Sequence, residues 1–162
     1  MRITEKICAA LCRADPANAG AYRENTQAYL AKLDALDARF AQITRNAARR
    51  TIVFGDRFPF RYLADAYGLD YAAAFPGCAA EAEPSMSTVA FLVNKIKAEH
   101  IPAVFHIELS NQRMARTIGR ATGAKVLLLH ACHNISKDDF AAGESYLSLM
   151  ERNADALEEA LM

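Results

Sequence analysis

Two hydrophobic periods divide the chain. Up to about residue 48, apolar side chains recur three, four and seven apart and nothing alternates with a period of two. Ile3, Ile7, Ala10 and Leu11 mark one face of a first helix expected to end near Arg13. Asp15-Pro16 then offers an N-cap followed by proline at the first helical position. Beyond it Tyr22, Tyr29, Leu33, Leu36, Phe40 and Ile43 fall in line, with Asn25, Gln27, Lys32 and Asp34 off that line. The spacing predicts a single helix of roughly 25 to 30 residues with one narrow apolar stripe. That is long against an average of ~11–12 residues. Its seam holds aromatic rings and alanines where a zipper wants Leu and Ile, so it reads as a rigid strut rather than half of a coiled coil.

From Thr51 the pattern becomes short apolar runs separated by helical stretches. Strands are predicted at about 51–55, 70–75, 102–107 and 125–129. Between them lie helices over about 58–67, 84–99 and 111–121, and a last one over about 144–161. Phe58, Tyr62, Leu63 and Ala66 are expected inward on the first of these, and Val89, Leu92, Val93 and Ile96 on the second. Tyr146, Leu149, Met150, Leu157 and Leu161 share a face of the last. Gly68 is the expected left-handed C-cap. The alternation is that of right-handed crossover units. It predicts an α/β fold: a four-stranded parallel sheet flanked by helices, two on each face, preceded by a long backbone helix. Residues 1–48 form the helical segment and 49–162 the α/β lobe.

Charge narrows the function. Nineteen Lys and Arg balance nineteen Asp and Glu, so no basic footprint for nucleic acid is present. Arg45, Arg49 and Arg50 suit a helix C-terminus instead. No apolar run approaches the ~20 residues that cross a bilayer. No signal-peptide hydrophobic region opens the chain, so the sequence carries no export address of its own. Four scattered cysteines, Cys8, Cys12, Cys78 and Cys132, do not make a disulfide-stapled mini-protein.

The polar residues collect where strands end. Asp56 closes the first strand, Glu108 the third, and His130-Ala-Cys132-His133 the fourth. In an open parallel sheet that rim is where ligands bind. Imidazole and thiolate both suit zinc, which makes His130, His133 and Cys132 candidate ligands, against a reading in which the cluster merely ends a strand. Glu108 is a ligand, a support for a ligand imidazole, or a helix-capping carboxylate. Asp56 can ligate, whereas Arg57 has no acceptor; together they read most simply as an ion pair fixing the loop. His106 reads as a satisfied, partly buried histidine, and Glu81 and Glu83 as charges suited to the start of the following helix. Cys78 and Cys132 both follow strand ends, which leaves a disulfide or a thiol–metal pair open. Neither a glycine-rich phosphate loop nor a nucleophile elbow is present. Enzyme function is not expected; a small thiol enzyme using Cys132 with His133 or His106 is the alternative.

Longer runs carry a resemblance. Asp15-Pro-Ala-Asn-Ala-Gly-Ala-Tyr22, Phe60-Arg-Tyr-Leu-Ala-Asp-Ala-Tyr-Gly-Leu69, Gly77-Cys-Ala-Ala-Glu-Ala-Glu-Pro-Ser85, Thr122-Gly-Ala-Lys-Val-Leu127 and Tyr146-Leu-Ser-Leu-Met-Glu-Arg-Asn153 belong to it. Together they resemble the zinc- and manganese-binding solute receptors of bacterial ABC transporters over essentially the whole chain. In that family two lobes sit on a long rigid helix and hold the metal between them. The resemblance implies binding of Zn2+, with Mn2+ as the alternative, extracytoplasmic location, and an ABC permease as partner of the full-length receptor. It also implies that this chain is the linking helix and C-terminal lobe, without the lobe that supplies two histidine ligands. The family's ligand after the first strand of this lobe falls on Arg57, and its aspartate after the fourth strand falls on His130. Arg57 cannot serve, so either Asp56 substitutes by a one-residue shift or this lobe contributes differently. The expected ligands are therefore His130, Asp56 and Glu108, then His133 and Cys132. The competing expectation is a lobe that binds no metal and rests on another lobe, or on a second copy through the long helix.

Overall fold

The structure is a computed structural model that describes residues 1–75 and 84–162. Cys78, Glu81 and Glu83 lie outside the described residues. Two compact units are present, Met1–Arg39 and Phe40–Met162.

The first unit holds helix α1 (Arg2–Ala14), a 3-10 turn at Pro16–Asn18, and the greater part of helix α2 (Ala19–Asn46). At 28 residues α2 is the long helix that the stripe predicts. Asp15 does not cap a helix with its side chain. Its carboxylate instead accepts from Asn18 Nδ2 at 2.7 Å and from the Tyr22 hydroxyl at 2.9 Å, pinning the turn. Those two bonds hold its carboxyl below the usual carboxylate range, Asn18 contributing most. On α1 the face marked by Ile3, Ile7 and Leu11 is exposed, at 74, 55 and 43%. The half-buried line is Thr4, Cys8 and Cys12, whose short side chains let the two sulfurs reach the carbonyls of Tyr22 and Ala19.

The second unit is the α/β lobe. Its strands are β1 (Thr51–Arg57), β2 (Asp70–Phe75), β3 (Ala103–His106) and β4 (Lys125–Leu128). Among the described residues they form one parallel sheet in the order β2-β1-β3-β4. Helices α3 (Arg61–Tyr67), α4 (Met86–Ala98), α5 (Arg113–Thr122), α6 (Lys137–Ala141) and α7 (Tyr146–Leu161) complete it. α6 lies in a stretch expected to be loop; Ser136 starts it by accepting the Asp139 N–H at 3.0 Å. No helix of the described residues is long and apolar enough to cross a membrane.

Strand alternation divides the core. Val53 and Val104 face α4 and α5 and join Leu92, Ile96, Ala115 and Ile118 in one cluster. Their neighbours Phe54 and Phe105 pack at a tilt on the opposite face, ring centroids 5.4 Å apart, with Phe58 and Phe60 beside Phe54. α7 contacts β1 and β4 and buries Leu149, Leu157 and Leu161, while Tyr146 stays 51% exposed at its first turn. α3 departs from expectation in the same way. β1 runs on to Arg57, so the helix starts at Arg61 and its inward line is Ala64 and Tyr67. Tyr67 stacks on Phe40 at 5.3 Å, and Tyr62 is turned outward at 89% exposure.

One glycine matters to the site. A Cβ on Gly55 would stand 2.3 Å from the Ala115 Cα and 2.5 Å from its nitrogen. Only a residue without a side chain lets β1 and α5 approach this closely.

Candidate metal centre

From β1 the chain turns to one side for β2 and then crosses to the other side for β3. The winding of the sheet therefore reverses between β1 and β3, and a crevice opens beyond their C-terminal ends. A cleft of about 810 Å³ lies there, with Asp56, Arg57, Ile107, Glu108, Arg113 and His133 on its walls.

Asp56 sits where the β1–β2 register shifts between Phe54 and Arg57, an irregularity that re-aims side chains at a strand end. Its Oδ1 accepts the Arg57 N–H at 2.8 Å and its Oδ2 the Ile107 N–H at 3.5 Å. The expected role in fixing the loop is thus filled by backbone amides of both loops. Glu108 is more deeply set, its side chain 8% exposed. Its Oε2 accepts the Ala131 N–H at 2.7 Å, a charge-assisted bond joining the loop after β3 to the loop after β4.

His130 lies behind that wall, 3% exposed. Asn153 on α7 grips its backbone from both sides: Oδ1 accepts the His130 N–H at 2.7 Å and Nδ2 donates to its carbonyl at 2.8 Å. The ring Nδ1 accepts the Cys132 N–H at 3.0 Å. An acceptor at Nδ1 leaves the ring proton on Nε2 in the neutral imidazole, and Nε2 is buried without a partner. The 4.0 Å from Nδ1 to Glu108 Oε2 is therefore proximity rather than an ion pair in this form. His130 does not line the cleft; His133, exposed, does.

Cys132 turns the loop at φ +58°. Its sulfur donates to the His130 carbonyl at 3.7 Å rather than meeting His133. Burial, and secondarily the Glu108 charge, push its thiol up to about 11. A thiol so protonated is a poor nucleophile at neutral pH. His106 is buried and its Nδ1 meets the Ile107 carbonyl at 2.9 Å, the satisfied histidine that its place in a strand implies. Leu109 and Gln112, at φ +55° and +57°, bend the loop after β3.

Asn153 escapes a reading by residue chemistry. Its signal is positional: a carboxamide four residues from both Leu149 and Leu157, in the apolar line of α7.

The cleft thus offers two carboxylates, each anchored by a backbone amide, and an imidazole at the rim. Among the described residues no three His, Cys, Asp or Glu side chains stand close enough to hold one ion. The family model of the periplasmic zinc-uptake complex component A matches residues 1–160. The chain belongs to this family. The zinc-binding lipoprotein AdcA of Streptococcus pneumoniae is 31% identical over 159 residues, covering 98% of this chain and 31% of that protein. Among solved structures, the metal-dependent lipoprotein YcdH of Bacillus subtilis superposes with a TM-score of 0.82 at 28% identity, covering 98% of this chain and 59% of YcdH. The Zn(II)-bound ZnuA-like domain of Streptococcus pneumoniae AdcA gives 0.76 at 30% identity, covering 97% of this chain and 58% of that domain. The chain spans less than half the length of the curated relatives it matches.

Proposed function

We propose that this chain is the C-terminal lobe and linking helix of an extracytoplasmic receptor that binds zinc reversibly and passes it to an ABC permease. The observation that carries the reading is the switch-point cleft. In a member of the zinc-uptake family, its walls bear Asp56, Glu108 and His133. Carboxylate and imidazole are both zinc ligands; a set richer in carboxylate oxygen also admits manganese. The chemistry is coordination and release without turnover. Glu108 and Asp56 are held in place by amides they already accept, so an ion meets oriented oxygens. His130 contributes only if its Nδ1 gives up the Cys132 N–H or its Nε2 loses the proton, and Cys132 only if an ion displaces the proton that burial holds on its sulfur. With fewer than three ligands assembled among the described residues, the lobe is read as half of a site that another lobe completes.

Competitive zinc titration of the full chain against a chromophoric chelator tests this. Affinity in the ~µM range is expected, weakened ~10–100-fold by Asp56→Asn and Glu108→Gln, with His133→Ala and His130→Ala reporting those ligands separately. Unchanged affinity in the Asp56→Asn/Glu108→Gln double variant would remove the cleft from the proposal. A second reading, a lobe that carries no metal and pairs with another lobe or a second copy through the long helix, is favoured by the absence of a three-ligand group among the described residues. A dimer in sedimentation that is insensitive to chelator and free of metal selects it.

A further inference from the structure

The first unit contains a pair of thiols that the zinc reading does not use. Cys8 and Cys12 are one helical turn apart on α1 and half-buried. Their sulfurs donate to the carbonyls of Tyr22 and Ala19 at 3.6 and 3.7 Å. A pocket of about 540 Å³ opens onto both, walled by Glu5, Arg13, Arg23, Thr26 and Gln27 besides the cysteines and Ala9. We propose that Cys8 and Cys12 form a two-thiolate site for a soft monovalent cation of the copper(I) class.

Spacing selects the chemistry. Side chains four apart on a helix have Cβ atoms ~5–6 Å apart, whereas a disulfide needs ~3.8 Å between them. Oxidation would therefore require α1 to unwind. On the scale of a zinc–thiolate bond of ~2.3 Å, a two-coordinate ion puts its two sulfurs ~4–5 Å apart, which this helical spacing accommodates. The ligands are soft, and soft thiolates favour copper(I). Charge selects valence. Two thiolates and one monovalent ion leave a net negative charge, and Arg13 and Arg23 line the pocket to balance it. Zinc would need two further ligands. Glu5 is the one carboxylate in the pocket, and no three metal-binding side chains stand together among the described residues. The thiol protons leave on binding, so affinity rises with pH.

The proposal is independent of the zinc site and is tested on the full chain by anaerobic titration with copper(I) against bicinchoninate. The Cys78→Ser/Cys132→Ser variant, which keeps only the helical pair, is expected to bind one equivalent. Cys8→Ser or Cys12→Ser in that background should weaken it at least ~100-fold, since a single thiolate remains. Circular dichroism checks that each variant folds. Should a serine variant fail to fold, alkylation of the wild-type chain decides. Copper(I) should slow iodoacetamide labelling of Cys8 and Cys12 at least ~10-fold, as mapped by mass spectrometry, while zinc does not. Undiminished copper(I) binding in the serine variants, or labelling of both cysteines unaffected by copper(I), would overturn the site.

Discussion

Replacing Asn153 by leucine isolates what holds the site loop in place. The carboxamide is 1% exposed and makes two bonds to the His130 backbone, at 2.7 and 2.8 Å. Those bonds fall where β4 ends and the loop toward the cleft begins. Leucine keeps the branched shape and the number of heavy atoms, so no cavity opens, but it leaves one buried N–H and one buried carbonyl without partners. An orphaned buried group costs ~1–3 kcal/mol. Two adjacent ones that relax together should cost about 2–5 kcal/mol. For a chain of this size ~1 kcal/mol moves the midpoint by ~2–4 °C, so Tm should fall by about 4–20 °C.

Stability alone does not identify the mechanism, because Leu157→Ala on the same helix should cost a similar ~2–5 kcal/mol by leaving a cavity. Amide hydrogen exchange separates them. At matched stability Asn153→Leu should deprotect the His130 amide selectively, and Leu157→Ala should not. Urea unfolding followed by circular dichroism supplies the free energies. An Asn153→Leu variant within ~0.5 kcal/mol of the parent, or with the His130 amide as protected as before, would refute the reasoning.

Two further outcomes follow from close contacts. Gly55→Ala should cost about 1–3 kcal/mol through overpacking. The atoms it meets are the Ala115 Cα and nitrogen at 2.3 and 2.5 Å, so adding Ala115→Gly should restore little; full rescue in the double variant would locate the clash in the Ala115 methyl instead. Cys132, pushed from 9.0 to about 11, should hold ~100-fold less thiolate at pH 7 than an unperturbed thiol. Its alkylation should be correspondingly slow in the folded chain, and a rate equal to that of the unfolded chain would contradict the burial. Because the folded-state value is raised, the stability this thiol contributes is complete below its unfolded value. It is lost as pH rises from about 9 through about 11, and Cys132→Ala should flatten that part of the alkaline titration.

Much of the fold was legible because period and burial agree. The six-residue stripe from Tyr22 to Ile43 runs half-buried to buried along a single 28-residue helix, as its spacing requires. The second strand, Asp70–Phe75, matches its predicted bounds, and Gly68 caps α3 at φ +64°. Errors arose where an apolar residue's inward direction had to be guessed from a short helix. Tyr62 is expected inward on a helix over 58–67, but β1 continues through Asp56 and Arg57 and the helix begins only at Arg61, so Tyr62 falls in its first turn, facing outward. On α1 the apolar line was visible but its environment was not: Ile3, Ile7 and Leu11 face outward while two cysteines face α2. Side-chain hydrophobicity ranks the faces; close backbone approach chose the other one.

The rim of the sheet was legible and the surroundings of its candidate ligands were not, for a related reason. The rule that ligands meet the C-terminal ends of parallel strands directs attention to Asp56, Glu108 and the His130–His133 run, and the cleft does lie between β1 and β3. Residue type alone ranks His130 first, since imidazole is the best ligand there. Its neighbours decide otherwise for the ring in this conformation: a backbone amide occupies Nδ1, and Asn153 holds the peptide behind the wall. Glu108 acquires its importance from the Ala131 amide twenty-three residues away, a partner no local pattern predicts. The His130 ring with its unpartnered Nε2, a costly arrangement in a buried position, is consequently the point where the loop after β4 has most to gain by rearranging. If zinc recruits His130, the Cys132 N–H must be released in the same step. The two events can be watched separately, by metal occupancy and by exchange of the Cys132 amide. Zinc binding that leaves that amide as protected as in the metal-free chain would exclude Nδ1 of His130 as a ligand and leave the ring as packing behind the cleft wall.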